Sequence, residues 1–246
     1  MRSILRSVKN AVTTLSLRPF ARLGMYKKFL PSKGHIHFGD FDRVTPFSTN
    51  FGYDRGGPVD RHYIENFLQA NASLIHGRVL EIGDNDYTVK FGKEMVTKSD
   101  ILYIDDTNPQ ATIIADLADA RNIDDNLFDC IVLTQTLHVI YDVKAVIRNC
   151  YRILKPGGTL LLTVPGISHI DQGNWGDYWF WSFTRKAISN LLLEQFSEKN
   201  VSIETFGNVK IATAFLHGIG APELRPSDFT YNDPHYQVII TAVARK

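Results

Sequence analysis

Cysteine is nearly absent from this 246-residue chain. The two that occur, Cys130 and Cys150, fall in apolar segments and lack the spacing of a metal-ligand set. A disulfide framework is therefore excluded, and both thiols read as reduced core residues of an intracellular protein. Long apolar runs are missing too, since nothing approaches the roughly 18 to 20 residues of a membrane-spanning helix. No internal repeat and no low-complexity segment is found. Neither sign of charge is in excess: 27 Lys and Arg face 26 Asp and Glu, a net of +1.

That balance conceals an asymmetry. Residues 1–39 hold eight basic residues and no acid, which leaves the rest of the chain at −7. An acidic body argues against nucleic acid as substrate, because neutralising phosphates needs a basic surface around the site. Within the arm, Ile4, Leu5, Val8, Val12 and Leu15 recur at helical spacing among Arg2, Arg6 and Lys9. Residues 3–17 are thus expected to form a short basic amphipathic helix that stops near Pro19. Such a helix can anchor on an anionic membrane surface, dock a protein partner, or remain a solvated arm. All three readings stay open. The expected location is cytoplasmic, at the inner face of the membrane if the anchor reading holds.

The length suits one α/β domain with a substantial core and some chain to spare. Three parts are expected: a basic arm over 1–33, a connector with a lid helix over 34–74, and the main domain over 75–246. The connector is rich in Gly, Pro, Ser, Thr and aromatics to Pro58, where a helix opens and runs to about Ala72. From Arg78 short Val, Ile and Leu runs alternate with helical patterns. Strands are expected at 78–82, 101–104, 112–115, 128–133, 159–164, 201–206 and 237–243. A helix over 143–154 should stop at the turn Lys155-Pro156-Gly157-Gly158. Another should run from a Thr184 cap to about Phe196, and one more over 208–217. This alternation implies a Rossmann-like α/β fold, a mostly parallel sheet with helices on both faces. Ligands of such sheets sit beyond the carboxyl ends of the strands, at the switch in strand order.

Those ends carry a nucleoside-binding pattern. The first strand closes on Val79-Leu80-Glu81-Ile82-Gly83, followed by Asp84-Asn85-Asp86-Tyr87. Gly83 permits a sharp turn and a close ligand approach. Asp105 and Asp106 end the second strand some twenty residues on, where a carboxylate accepts from both ribose hydroxyls. Asp116 follows the third strand and can receive the amine of adenine. A dinucleotide would bring its pyrophosphate against Asp84 and Asp86, which disfavours a nicotinamide oxidoreductase. The bland reading of Asp84 to Asp86 is a solvated turn over an empty pocket.

These residues, with Phe128-Asp129-Cys130-Ile131-Val132 and Arg152-Ile153-Leu154-Lys155-Pro156-Gly157-Gly158-Thr159-Leu160-Leu161, resemble the class I S-adenosylmethionine (SAM) dependent methyltransferases, in particular the type 11 domain. The resemblance covers about 75–168. It implies a seven-stranded sheet with an antiparallel last strand and SAM as the cofactor. It further implies Glu81, Gly83 and Asp84 at the methionine end, Asp105 or Asp106 on ribose, Asp116 and Leu117 beside adenine, and Thr134 past the fourth strand. The departure is the glycine run, of which only Gly83 survives. The segments 51–61 and 175–179 look similar to a bacterial subgroup associated with glycan or polysaccharide biosynthesis.

Methyl transfer is largely a matter of positioning, and a hydroxyl acceptor gains further from a general base. His138, just past the fourth strand, is the first candidate base, with a packed structural histidine as the alternative. Asp177 is the second. The stretch 165–184 mixes aromatic faces with carboxylates and suits a sugar or another ring, although its aromatics could equally fill the core. Tyr141, His169, Trp175, Tyr178 and Trp179 are the candidate acceptor contacts, and no metal is expected. Asp54, Arg55, Asp60 and Arg61 are read as a salt-linked lid. The expected activity is O-methylation of a sugar, glycan or related metabolite. A non-catalytic module of the same fold, binding a glycan-biosynthesis or membrane-associated partner, is the alternative.

Overall fold

The computed structural model describes residues 31, 33–173 and 175–246. The chain divides into two compact units, Met1–Thr45 and Pro46–Lys246. In the first, the described part holds one 3-10 turn, Gly39–Phe41. The helix expected over 3–17 lies outside the described residues.

The second unit is built on a seven-stranded sheet. Its strands are β1 (Gly77–Ile82), β2 (Val96–Tyr103), β3 (Ile113–Ile114), β4 (Phe128–Thr134), β5 (Leu154–Pro165), β6 (Val201–Phe206) and β7 (Ile239–Arg245). They lie in the order β3-β2-β1-β4-β5-β7-β6. The first five pair in parallel, and β7 runs antiparallel to both β5 and β6. Four α-helices cover the faces: α1 (Val59–Ala70), α2 (Val143–Ile153), α3 (Arg185–Leu193) and α4 (Val209–Leu216). The architecture is the Rossmann-like one expected, with the antiparallel last strand.

Strand residues alternate between two apolar layers, as a pleated strand covered on both faces must. Leu80, Ile131, Leu133, Leu160 and Leu162 pack with α2 and α3. Val79, Cys130, Val132 and Leu161 pack with α1 and α4. Three helices start on side-chain caps that satisfy their free amides. Asp142 accepts from Ala145 N, Thr184 from Ala187 N, and Asn208 from Lys210 N and Ile211 N. Both cysteines are free and buried.

The boundaries differ from the sequence reading in instructive places. Lys155-Pro156-Gly157-Gly158 is not a turn after α2 but the irregular start of β5, with a register shift against β4 between Phe128 and Cys130. Gly157, at φ 82°, donates its amide to the Lys246 carbonyl just past β7, so the segment is taken up between β4 and β7 in the sheet. β3 shrinks to two residues. Between β1 and β2 the chain crosses over through a π-helical turn, Thr88–Gly92, and a 3-10 turn, Lys93–Met95.

Candidate active site

Two adjoining clefts open at the carboxyl end of the sheet, sharing Tyr53, Pro58 and Arg61 in their walls. The larger, about 730 Å³, reaches Asp84, Asp86, Tyr87 and Lys90 after β1. The smaller, about 260 Å³, reaches Gln135 and His138 after β4, and Asp171, Trp175 and Trp179 after β5.

The turn after β1 is held by its own acids. Gly83 sits at φ 92°, a left-handed conformation suited to glycine, and a Cβ there would meet nothing within 4 Å. Buried Glu81 accepts from the amides of Tyr87 (3.3 Å) and Thr88 (2.7 Å). Asp84 accepts from Asp86 N at 3.1 Å, and Asn108 donates to the Gly83 carbonyl at 2.7 Å. Side chains thus shape a turn that glycines shape elsewhere. Burial pushes the Glu81 carboxyl up to about 7, against the two amide bonds. Glu81, expected at the methionine end of the cofactor, thus braces the loop that follows β1.

Asp105 and Asp106 are exposed beyond β2, and Asp105 Oδ1 accepts from the amide and hydroxyl of Thr107. Those bonds hold its carboxyl below the usual range. Asp116 is exposed beyond β3 and caps a 3-10 turn through Ala118 N. Leu117 lies in the core, and Thr134 is half-buried. Of these expected cofactor residues only Asp84 lines a cleft; the others border the strand ends. Ile104, 66% exposed at the end of β2, was not anticipated and offers an apolar face there.

Arg61 presents an anion-seeking group. Its guanidinium donates to the phenols of Tyr53 (3.0 and 3.2 Å) and Tyr87. No carboxylate lies within salt-bridge distance of it among the described residues. The salt-linked lid read from sequence is therefore tied differently. Arg55 pairs with Glu223, Asp54 accepts from Ser48, and Gly220 lets the strap approach so closely that a Cβ would lie 1.9 Å from the Arg55 carbonyl.

On the other side, His138 is 5% exposed. Its carbonyl accepts from the amides of Phe180 (3.0 Å) and Trp181 (3.2 Å), and its ring lies 4.4 Å from that of Trp179. Nδ1 has no partner. Burial lowers its pKa to about 4, so the imidazole is neutral across physiological pH. Gln135, at φ 45°, turns the chain out of β4 in a conformation that costs a non-glycine residue roughly 1–3 kcal/mol, and it bonds Thr163 at 3.2 Å. The sequence carries no signal for that turn.

Three sequence candidates, His138, Trp175 and Trp179, converge on the smaller cleft. His169 stacks on Phe51 at 3.9 Å, one residue removed from the cleft that Phe51 lines. Tyr141, 70% exposed, packs on Phe180 and Trp181. Asp177 and Tyr178 lie exposed on a 3-10 turn and line neither cleft. Asp60 is the residue that sequence reasoning misplaced, as a lid charge: it lines the smaller cleft, and its Oδ1, buried from solvent, has no hydrogen-bond partner. Burial pushes its carboxyl pKa up, against the pull of the neighbouring Arg61 charge and the amides of Arg61 and Asp60. No group of three or more His, Cys, Asp or Glu residues stands together as a metal site among the described residues.

Comparison with known proteins accords with this geometry. Residues 69–162 match the methyltransferase domain family. The ubiquinone/menaquinone biosynthesis C-methyltransferase UbiE of Klebsiella pneumoniae is 34% identical over 86 residues, 35% of this chain and 32% of that protein. The chain thus spans about a third of the length of the curated relatives it matches. Two solved structures share the fold. A possible histamine N-methyltransferase from Thermotoga maritima has a TM-score of 0.52 at 17% identity, covering 80% of this chain and 97% of that one. A SAM-dependent methyltransferase from Archaeoglobus fulgidus has 0.51 at 14%, covering 76% and 94%. Methyltransferase domains of this kind take their methyl group from SAM. The donor set fits that molecule: exposed carboxylates for the ribose, an open glycine turn, and a guanidinium lacking a carboxylate.

Proposed function

We propose that the protein is a SAM-dependent methyltransferase that methylates a hydroxyl of a sugar, glycan or related small metabolite. The observation that carries this reading is the smaller cleft, where a neutral imidazole, two carboxylates and two indole faces converge beside the strand ends that suit a nucleoside. Bound SAM supplies an electrophilic methyl carbon on a positively charged sulfur. Asp105 or Asp106 would hold the ribose hydroxyls, Asp116 and Leu117 would flank adenine, and Arg61 would pair with the methionine carboxylate. Asp84 and Asp86 tolerate such a ligand because its cationic groups outnumber its single anionic one. Trp175 and Trp179 offer faces for the apolar side of a sugar ring, while His138 and Asp171 can bond its hydroxyls.

UbiE relatives are C-methyltransferases by name, but the family match ends at Leu162. It takes in neither the strap at 50–58 nor the aromatic loop after β5, which supply most of the acceptor wall. Calorimetric titration with SAM and with S-adenosylhomocysteine tests the cofactor half. Micromolar binding that weakens in Asp105→Ala or Asp106→Ala is expected, and no binding by folded protein sinks the reading. Release of S-adenosylhomocysteine in an acceptor screen that begins with sugars tests the other half.

Residues 1–33 would then bring the enzyme to an anionic membrane or a protein partner. Equal binding to anionic vesicles by the full chain and by one starting at Lys33 would rule out the membrane role. Among the described residues no helix is long and apolar enough to cross a membrane.

A further inference from the structure

The smaller cleft holds three groups able to take a proton, and they are not equivalent. His138 has a free Nδ1, yet its burial among apolar groups leaves it a weak base, about 4 on the pKa scale. Brønsted behaviour makes such a group a poor acceptor for a hydroxyl proton at neutral pH. Asp171 is half-exposed and already accepts from Gly173 N at 2.9 Å. Asp60 differs from both. It stands in the first turn of α1 and lines the same cleft as His138, with Oδ1 buried and unpartnered. The charged and titratable groups that share this cleft with it are the Arg61 guanidinium, which is turned to the phenols of Tyr53 and Tyr87, and His138 and Asp171. The amides of Arg61 and Asp60 bond to the carboxyl, but Oδ1 has no partner and keeps a free site for a proton.

We infer that Asp60, not His138, is the general base for the acceptor, removing its proton from the cleft wall built by the start of α1. This rests on the reading of the cleft as a methyl-acceptor site. As the acceptor oxygen bonds to the methyl carbon, the carbon–sulfur bond breaks and its electron pair stays on sulfur. The hydroxyl proton passes to the Asp60 carboxylate and is returned to water once the product leaves. His138 orients the acceptor as a neutral hydrogen-bonding group. Burial supports the assignment a second way, since it raises the proton affinity of Asp60 while lowering that of His138.

The test needs no acceptor. Sinefungin resembles SAM but carries an amine-bearing carbon where SAM has its methylsulfonium, so its extra ammonium projects where the methyl group meets the base. Calorimetric titration of the full chain should give sinefungin an affinity about tenfold above that of S-adenosylhomocysteine, from a charge-assisted hydrogen bond. In Asp60→Asn the two ligands should bind alike, with the S-adenosylhomocysteine affinity kept within about twofold as evidence of an intact fold. The inference is overturned if sinefungin has no advantage in the wild type. It is equally overturned if the advantage survives Asp60→Asn and disappears in His138→Ala or Asp171→Asn. A loss of S-adenosylhomocysteine binding in Asp60→Asn, with the melting temperature unchanged, would make Asp60 a cofactor ligand and also overturn it. Failure of the wild type to bind S-adenosylhomocysteine at all would instead remove the underlying reading.

Discussion

The two halves of the sheet's carboxyl edge use the same side-chain chemistry in opposite environments. On the β1–β3 side, Asp84, Asp86, Asp105, Asp106 and Asp116 are all exposed, on turns joined by short 3-10 and π-helical crossovers. On the β4–β5 side, His138 is buried against the Trp179 ring and Asp60 keeps a carboxyl oxygen out of solvent, in a cleft that the strap pinned by Arg55 and Glu223 helps to line. Solvated carboxylates accept hydrogen bonds from a polar ligand at little desolvation cost. Desolvated groups have their proton affinities moved, and proton transfer needs that. On the proposed function, recognition of the cofactor sits on the open edge and handling of the acceptor on the edge that holds the buried groups.

The sharpest way to break this comparison is at Gly83. Valine at φ 92° is strained and would place a branched side chain in the open space above the turn. Binding of S-adenosylhomocysteine should be abolished in Gly83→Val by calorimetry, while circular dichroism stays native. Retained binding would mean that the nucleoside edge lies elsewhere.

Next in size is an opposition of pH dependences. Glu81 is raised to about 7 from 4.5, so the folded state holds the extra proton between those values. Its contribution to stability is complete below about pH 4.5 and is lost as pH rises toward 7, about 3 kcal/mol in all. His138 is lowered from 6.5 to about 4, so its contribution is complete above about pH 6.5 and is lost as pH falls toward 4. The two slopes oppose each other in the wild type. Glu81→Gln should uncover the His138 slope, so that urea-unfolding stability falls more steeply from pH 7 to 4.5 than in the wild type. His138→Gln should do the reverse. Parallel profiles in all three proteins would mean that neither group is desolvated as described.

What was legible in the sequence follows the same division. Strands and helices could be read because alternation and caps are local signals: Val79 and Leu80 face opposite layers, and Asp142, Thr184 and Asn208 each cap the helix they precede. The exposed carboxylates could be placed because each follows its strand directly. Asp60 was misplaced because its burial depends on distant chain. The strap is fixed by Glu223, and the Tyr63 ring of α1 packs 5.4 Å from Phe206 and 5.8 Å from Phe229. Asp177 and Tyr178 show the converse: a loop rich in aromatics does not say which side chains reach the cleft, and here Trp179 lines it while Asp177 and Tyr178 do not.

Arg61 sharpens the boundary between the halves, since it lines both clefts. If its guanidinium pairs with the methionine carboxylate, Arg61→Met should weaken S-adenosylhomocysteine binding about 30-fold, in line with about 2 kcal/mol for a charged hydrogen bond. Decarboxylated SAM should bind the wild type more weakly than SAM by a similar factor, and the variant should no longer distinguish the two. A variant that still prefers the carboxylated ligand would place that carboxylate on other donors.

The smallest expected effect is at Asp177, and a null result there is informative. An exposed carboxylate on a 3-10 turn is already solvated and lines neither cleft, so Asp177→Asn should change stability by less than about 0.5 kcal/mol and ligand affinity by less than twofold. Once an acceptor is known, turnover should also be unchanged within about twofold, because a group that lines neither cleft lies out of reach of the acceptor proton. A large fall in turnover with affinity intact would show that the loop after β5 folds inward on the acceptor and carries Asp177 from the open environment into the dry one. The division between the two edges would then be a property of the ligand-free chain, and the working enzyme would draw its base from the loop and not from α1.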